Sequence, residues 1–380
     1  MRTLFLLHEQ RLFYFLEPSY LELYLPMKES GLLGETSVYV FQRDVRWLRV
    51  LLANQEPAPP VDARNPEPGT AAGTHGDLPV SESGTGGGDD PYLSSLSQLM
   101  RHKIMEFRPD LVVNALTWPQ ECVPPSILQG LRDEFGFALC SVIWDHDESN
   151  PLLQDMDREV IAASDLTLVA DSYSRWERIA ARSGPYADFT NTARTIFLPM
   201  VPPPSLFHPQ DGIEHEVTIS GSSEGYRNEV YQALLERGFA VHRSGGMMPG
   251  DAFLEPQDYA RALAVSRIVV NTQTMGSRVQ LKGRVAQALA CGTLLLEQDN
   301  AESRRYLQGI PVPTWSSIDE LAGQIRHYLD DEAARRAQAS AARAAWMQRY
   351  SIQGFTSTLL ERAQRGRTSR QAGGAPDAGR

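Results

Sequence analysis

Gln280-Leu-Lys-Gly-Arg-Val-Ala-Gln-Ala-Leu-Ala-Cys-Gly292, followed at once by Thr293-Leu-Leu-Leu-Glu297, is the stretch from which the fold can be read. Residues 284–290 read as a short helix and Thr293–Glu297 as a strand that is apolar almost throughout. A strand without polar alternation is buried on both faces, the mark of a parallel sheet covered by helices. Working upstream, the same alternation continues. Pro256–Val265 reads as a helix and Arg267-Ile-Val-Val-Asn271 as a strand. Tyr226–Arg237 reads as a helix with Gly238 as its stop, Phe239–His242 as a short strand, and Glu216–Ser220 as a strand ending in a glycine loop. Downstream, Ser317-Ile-Asp-Glu320 has the capping-box pattern, ahead of a helix with Leu321, Ile325 and Leu329 on one face. An Ala/Arg-rich helix is expected over about 331–350, and Gly366 to Arg380 reads as a disordered, locally basic tail.

Met200-Val-Pro-Pro-Pro204 separates this series from an earlier one, because proline lacks an N–H and fixes φ. The earlier series has strands at Leu4–Leu7, Ser37–Phe41, Leu111–Ala115, Phe137–Trp144 and Leu166–Ala170. Its helices are expected near Tyr20–Lys28, through Met100–Phe107, and over Pro125–Phe135, closed by Gly136. Residues 54–90 are rich in Pro, Gly, Ser and Asp, with almost no large apolar side chains. Such a segment cannot bury enough surface to offset its ordering entropy and reads as a disordered insertion. The expected organisation is α/β: two doubly wound, Rossmann-like domains facing across a cleft. Residues 1–203 form the first, residues 204–350 the second, and 351–380 a C-terminal segment and tail. Ligands of such sheets bind outside the carboxyl ends of the strands, which places them in the cleft.

The 380 residues carry a net charge of −11, which argues against a general nucleic-acid binder. Three cysteines, Cys122, Cys140 and Cys291, are widely spaced and have no zinc-ligand spacing, so a reducing compartment and no metal are expected. No signal peptide is legible, and no segment approaches the ~20 consecutive apolar residues of a membrane span. A cytoplasmic location follows as an expectation.

Three constellations can carry chemistry. Ile219-Ser-Gly-Ser-Ser-Glu-Gly-Tyr-Arg227 links a strand to a helix. Gly221 and Ser222 there let the backbone approach a ligand, the helix start favours an anion, and Arg227 can add a charged contact; a plain turn with a surface arginine would look the same. Lys282 and Arg284 open the next helix, where cations are unfavourable unless an anion joins them, so a diphosphate site is expected, with a pair of solvated charges at a helix end as the alternative. Trp144-Asp-His-Asp-Glu148 follows a strand, and Asp145, His146 and Asp147 are candidates for catalysis or acceptor binding, one of them as general base. An acidic loop capping the next helix is the alternative. Gly246, after Gly245, is a weaker candidate for close donor approach. Asp171 either lines the cleft or caps a helix. Tyr20, Tyr24 and Tyr39 read as packing residues.

The run from Val217-Thr-Ile-Ser-Gly-Ser through Gly245-Gly, Tyr259–Asn271, Gln280–Val285 and Ala288-Leu-Ala-Cys-Gly to Asn300-Ala-Glu-Ser-Arg-Arg-Tyr-Leu307 resembles the CgeB-type glycosyltransferases, grouped with the "glycosyl transferases group 1" C-terminal domain. The likeness covers about 216–307 well, the helices to about 350 loosely, and the first domain in layout only. It implies a GT-B fold, with a nucleotide-sugar donor on the second domain and an acceptor, whether glycan, protein or small molecule, largely on the first. It implies a hexosyltransferase-like reaction without metal or cofactor, with positive side chains and helix ends at the diphosphate. The donor-binding set it implies is Gly221, Ser222, Arg227, Gly246, Asn271, Lys282, Arg284, Gln287 and Glu297. One position departs: related enzymes have a glutamate that contacts the donor's ribose where this chain has Gln287. A nucleotide-sugar epimerase on the same fold, or a non-catalytic binding protein, are the alternatives.

Overall fold

The computed structural model describes residues 1–7, 20–40, 91–116, 123–144, 150–245, 254–274 and 279–373. The expected insertion at 54–90 lies outside them. The chain divides into two compact units, Met1–Gln42 with Phe107–Arg380, and Arg43–Glu106. In the second unit, helix is described from residue 91 onwards. Everything else below belongs to the first unit.

The helix of the second unit is α2 (Pro91–Phe107). The elements of the first lobe are β1 (Thr3–Leu7), a π-helical turn at Tyr20–Tyr24 running into α1 (Leu25–Glu29), β2 (Thr36–Val40), β3 (Leu111–Leu116), α3 (Pro125–Phe135), β4 (Ala138–Ile143), α4 (Pro151–Ala163), β5 (Leu166–Val169), α5 (Tyr173–Ala180) and β6 (Thr195–Phe197). The second lobe has β7 (His215–Ser220), α6 (Gly225–Glu236), β8 (Val241–Ser244), α7 (Pro256–Ala264), β9 (Ser266–Asn271), α8 (Gly283–Cys291), β10 (Leu294–Gln298), α9 (Ala301–Tyr306), β11 (Thr314–Trp315), α10 (Ile318–Asp330) and α11 (Glu332–Arg349). A last helix, α12 (Ile352–Gln371), ends the described chain.

The first sheet has strand order β2-β1-β3-β4-β5-β6 and the second β11-β10-β9-β7-β8, parallel throughout. Counted from its own first strand, each sheet therefore begins 2-1-3-4-5. The apolar runs pair in register: Phe5 opposite Val113, Ile219 opposite Val270, Leu295 opposite Val269. Because both faces are covered, β1, β4 and β5 are buried at every residue, which is why their sequences show no alternation. The expected stop at Gly136 holds, and Gly238, the other one, follows the cap residue Arg237 of α6 with φ +82. Gly136 and Gly292 end α3 and α8 in the left-handed conformation, and the Ser317 side chain accepts from the Glu320 amide at the start of α10.

The C-terminal segment is the main correction. The expected disordered tail from Gly366 is helical as far as Gln371. From Ser351 the chain leaves the second lobe and α12 packs on β4, β5 and α1 of the first. Ile352, Phe355, Leu359 and Ala363 are buried there. Arg370 closes the helix onto the first lobe, its Nε donating to Asp165 Oδ1 at 2.8 Å and its Nη2 to the Phe137 carbonyl at 3.0 Å. Among the described residues no helix is long and apolar enough to cross a membrane.

Candidate active site

In the second sheet the chain goes from β7 to β8 on one side and then crosses to β9 on the other. The carboxyl ends of β7 and β9 thus flank a switch point, the place where open parallel sheets bind ligands. Gly221 follows β7 there with φ +100, a left-handed backbone that a side chain would strain. Its N–H is held by the carbonyls of Ser244 and Gly245, each at 3.1 Å. A Cβ on Gly221 would meet Nη1 of Arg284 at 2.7 Å and Nη1 of Arg227 at 3.0 Å. Two guanidiniums from two helices therefore converge on one glycine.

Both are held by neutral groups. Arg227, on α6, is 2% exposed. Its Nη1 donates to the Ser222 carbonyl at 2.9 Å and its Nη2 to that of Thr272 at 3.5 Å. Its Nε has no hydrogen-bond partner among the described residues. Arg284, in the first turn of α8, donates to the Ser220 carbonyl at 2.5 Å. Burial, and then the charge of Arg284, push the Arg227 guanidinium down to about 9. A buried cation with a like neighbour, opposed by the charge of Glu224 but in no ion pair among the described residues, suits an anion.

Lys282 is the N-cap residue of α8, and its ammonium donates to Gln280 Oε1 at 2.8 Å. Gln280 Nε2 in turn donates to Asp171 Oδ2 at 3.0 Å, and the Leu281 amide to the Asp171 carbonyl at 2.7 Å. Asp171 also holds Arg175 at 2.7 Å. Asp171 thus joins the lobes, and Ser172 takes the N-cap of α5, accepting from the Arg175 amide. Gln287, on the next turn of α8, accepts from the Tyr259 hydroxyl at 2.9 Å and donates to Glu22 of the first lobe at 3.0 Å.

Asn271 and Glu297 lie behind this crevice. Both are fully buried, and Asn271 Nδ2 donates to Glu297 Oε2 at 2.6 Å. Ser303 donates to Glu297 Oε1, also at 2.6 Å. Burial raises the Glu297 carboxyl to about 7, against the opposing pull of Ser303, Asn271 and Arg284. These two residues brace the ends of β9 and β10 and present nothing to solvent. Asp145, His146, Asp147 and Gly246 lie outside the described residues. Tyr24 and Tyr39 are buried packing residues, as read, Tyr24 edge-on to Phe5 with ring centres 5.0 Å apart.

Sequence reading missed the contacts that pair the lobes. Glu302 of α9 accepts from the Tyr173 amide at 2.6 Å, the Ser174 amide at 3.1 Å and the hydroxyls of Ser172 and Ser174, so it caps α5 from the opposite lobe. Arg305 forms a two-bond pair with Glu177, both bonds 2.9 Å. A cavity of about 560 Å³ lies beside this pair, lined by Tyr173, Phe197, Tyr306, Arg349 and Tyr350 among others, and apart from the two arginines at Gly221. Among the described residues no group of three or more His, Cys, Asp or Glu is arranged to hold a metal ion. Cys140 and Cys291 are free and buried; burial pushes the Cys291 thiol up to about 12.

Residues 210–361 match the profile of a family described as glycosyl transferase-like. The match spans the second lobe and the first half of α12. No curated protein sequence matches the chain significantly. Solved structures resemble it along almost its whole length. HepE from Anabaena, solved with UDP and glucose, is 16% identical with a TM-score of 0.59, covering 95% of this chain and 98% of that one. A glycosyltransferase from Rickettsia africae is 9% identical with a TM-score of 0.56, covering 96% and 98%. UDP-GlcNAc 2-epimerase from Neisseria meningitidis, bound to UDP-GlcNAc, is 10% identical with a TM-score of 0.51, covering 96% and 100%. The fold of the whole chain is GT-B.

Proposed function

We propose that this GT-B protein is a glycosyltransferase that moves a sugar from a nucleoside-diphosphate sugar to an acceptor hydroxyl or amine. One observation carries the reading: the buried Arg227 and the Arg284 guanidinium converge on Gly221 with only main-chain carbonyls as partners among the described residues. A diphosphate supplies the missing negative charge. In transfer, the bond between the sugar's anomeric carbon and the diphosphate oxygen breaks, and that oxygen gains charge. Arg227, Arg284 and the start of α8 stabilise that charge in a low-dielectric crevice, and this is the main catalytic term. Such a leaving-group site needs neither metal nor cofactor. Asp145, His146 and Asp147 follow β4 in sequence, and one of them accepts the proton of the attacking acceptor group. The CgeB-type subgroup is the specificity class we assign, on the motif order of the second lobe. Because HepE is described with UDP and glucose, a uridine nucleotide is the first donor to test.

A thermal-shift screen with UDP, GDP, TDP, CDP and ADP, with and without chelator, tests the donor site. One nucleotide should raise Tm in chelator, and Arg284→Ala should lose that shift. A wild type that binds no nucleotide would sink the reading. Incubating the preferred nucleotide sugar without acceptor separates transfer from epimerisation, since an epimerase converts the donor alone into a new sugar nucleotide.

A further inference from the structure

Glu22 brings a first-lobe carboxylate to the helix that carries Arg284. It lies in the π-helical turn Tyr20–Tyr24, 265 residues before Gln287, whose Nε2 donates to it at 3.0 Å. The same carboxylate lies over Gly283, the first residue of α8, where an added Cβ would run into Oε1 and stand 3.1 Å from Oε2. Glu22 therefore spans the first turn of α8, from residue 283 to residue 287. Gln287 has a fixed direction: because Tyr259 donates to Oε1, Nε2 is the atom that faces Glu22. A carboxylate at 287 would set two negative charges about 3 Å apart, which the site would resist. The amide at 287 and the carboxylate at 22 are a matched pair.

The rise from Arg284 to Gln287 along the helix is about 4.5 Å. That is one chemical group away from a diphosphate held by Arg284. In a nucleoside-diphosphate sugar both neighbours of the diphosphate are polyol rings: the ribose on one side and the transferred sugar on the other. A carboxylate accepts from hydroxyls, and an amide both accepts and donates. Three cations, Lys282, Arg284 and Arg227, outnumber the carboxylates Glu22 and Asp171, so the charge of Glu22 does not expel the diphosphate.

We propose that Glu22, held by Gln287, accepts from a hydroxyl of a sugar ring of the donor next to the diphosphate, so that the first lobe helps to select the donor. This rests on the donor-site reading above. The contact can form only while the lobes are together, which ties donor recognition to their approach.

Titration calorimetry on the full chain tests it, with UDP, 2′-deoxy-UDP and UDP-glucose, or the same three forms of whichever base the wild type selects. If the ring is ribose, Glu22→Gln should weaken UDP about tenfold, and the penalty for removing the 2′-hydroxyl should vanish in that variant. If the ring is the transferred sugar, Glu22→Gln should leave UDP unchanged and abolish the extra affinity of UDP-glucose. In either case Gln287→Glu should weaken binding, and the double variant E22Q/Q287E should recover most of it, because amide and carboxylate are restored with their places exchanged. Wild-type affinity for all three ligands in both Glu22→Gln and Glu22→Ala, with binding still lost in Arg284→Ala, would overturn this proposal and leave the donor site standing. No binding by the wild type would overturn both.

Discussion

The two lobes share a strand order but bring opposite charges to the crevice. The second contributes Arg227, Arg284 and Lys282, and the first contributes Glu22 and Asp171. Glu22 meets Gln287 and Asp171 meets Gln280, so a glutamine of the second lobe stands at each contact. Where the chain crosses between lobes the pattern changes: Arg305 pairs with Glu177, and Glu302 caps α5 directly. The difference teaches what each contact is for. An ion pair across the crevice would neutralise the arginines and compete with an anionic ligand. An amide holds the lobes together and leaves the cations their charge. Contacts at the crossover have no ligand to compete with.

The largest effect should come from Arg284→Ala, which removes a cation that has no carboxylate partner among the described residues. We expect kcat/KM to fall by about 10²–10³, or about 3–4 kcal/mol. Stability should stay level or rise, because the repulsion on Arg227 is relieved. A large drop in Tm would show that the arginine braces the fold instead.

Glu297 gives a pH test of the brace behind the crevice. Its folded carboxyl is raised to about 7 from an ordinary 4.5, so between these values the folded chain holds more protons than the unfolded one. Its contribution is therefore most favourable below about pH 4.5 and is lost as pH rises through about 7. Glu297→Gln should stabilise the chain at pH 8 relative to pH 5 by on the order of 1–3 kcal/mol, read as the difference between two denaturation series. Equal effects at both pH values would contradict a buried, titrating Glu297.

Gly221→Ala should cost about 1–2 kcal/mol of stability through its positive φ. It should weaken nucleotide binding by more than that loss explains, since the methyl group displaces both guanidiniums. Glu302→Gln keeps the shape of the cap and removes its charge at the start of α5. We expect a loss of about 0.5–1 kcal/mol and nucleotide affinity unchanged, which would set the crossover apart from the crevice.

Most of the fold was legible because parallel strands buried on both faces, such as Leu111–Ala115 and Thr293–Glu297, read as apolar runs whatever lies beyond them. Arg227 and Arg284 could be placed at the starts of two helices that follow β7 and β9, and those helix starts meet at Gly221. Asn271 and Glu297 were named from a motif, yet they are buried against each other, since spacing does not tell a residue that faces the crevice from one that supports it. Glu22 and Asp171 carried no local signal as partners of Gln287 and Gln280, which lie 265 and 109 residues away in the chain. The end of α12 was missed for the same reason. Its sequence around Gly366-Arg-Thr-Ser-Arg370 is basic and poor in large apolar residues. Its order comes from the first lobe, through the bonds of Arg370 to Asp165 and Phe137.

That last helix bears on how the chain is made. Domains synthesised on a ribosome generally fold as they emerge, the N-terminal one first. Here the first lobe lacks the cover of β4, β5 and α1 until residues 352–371 have been translated, after the whole second lobe. The nascent first lobe must wait with Phe137, Asp165 and their neighbours uncovered, and it is there that a chaperone would find its longest-lived target.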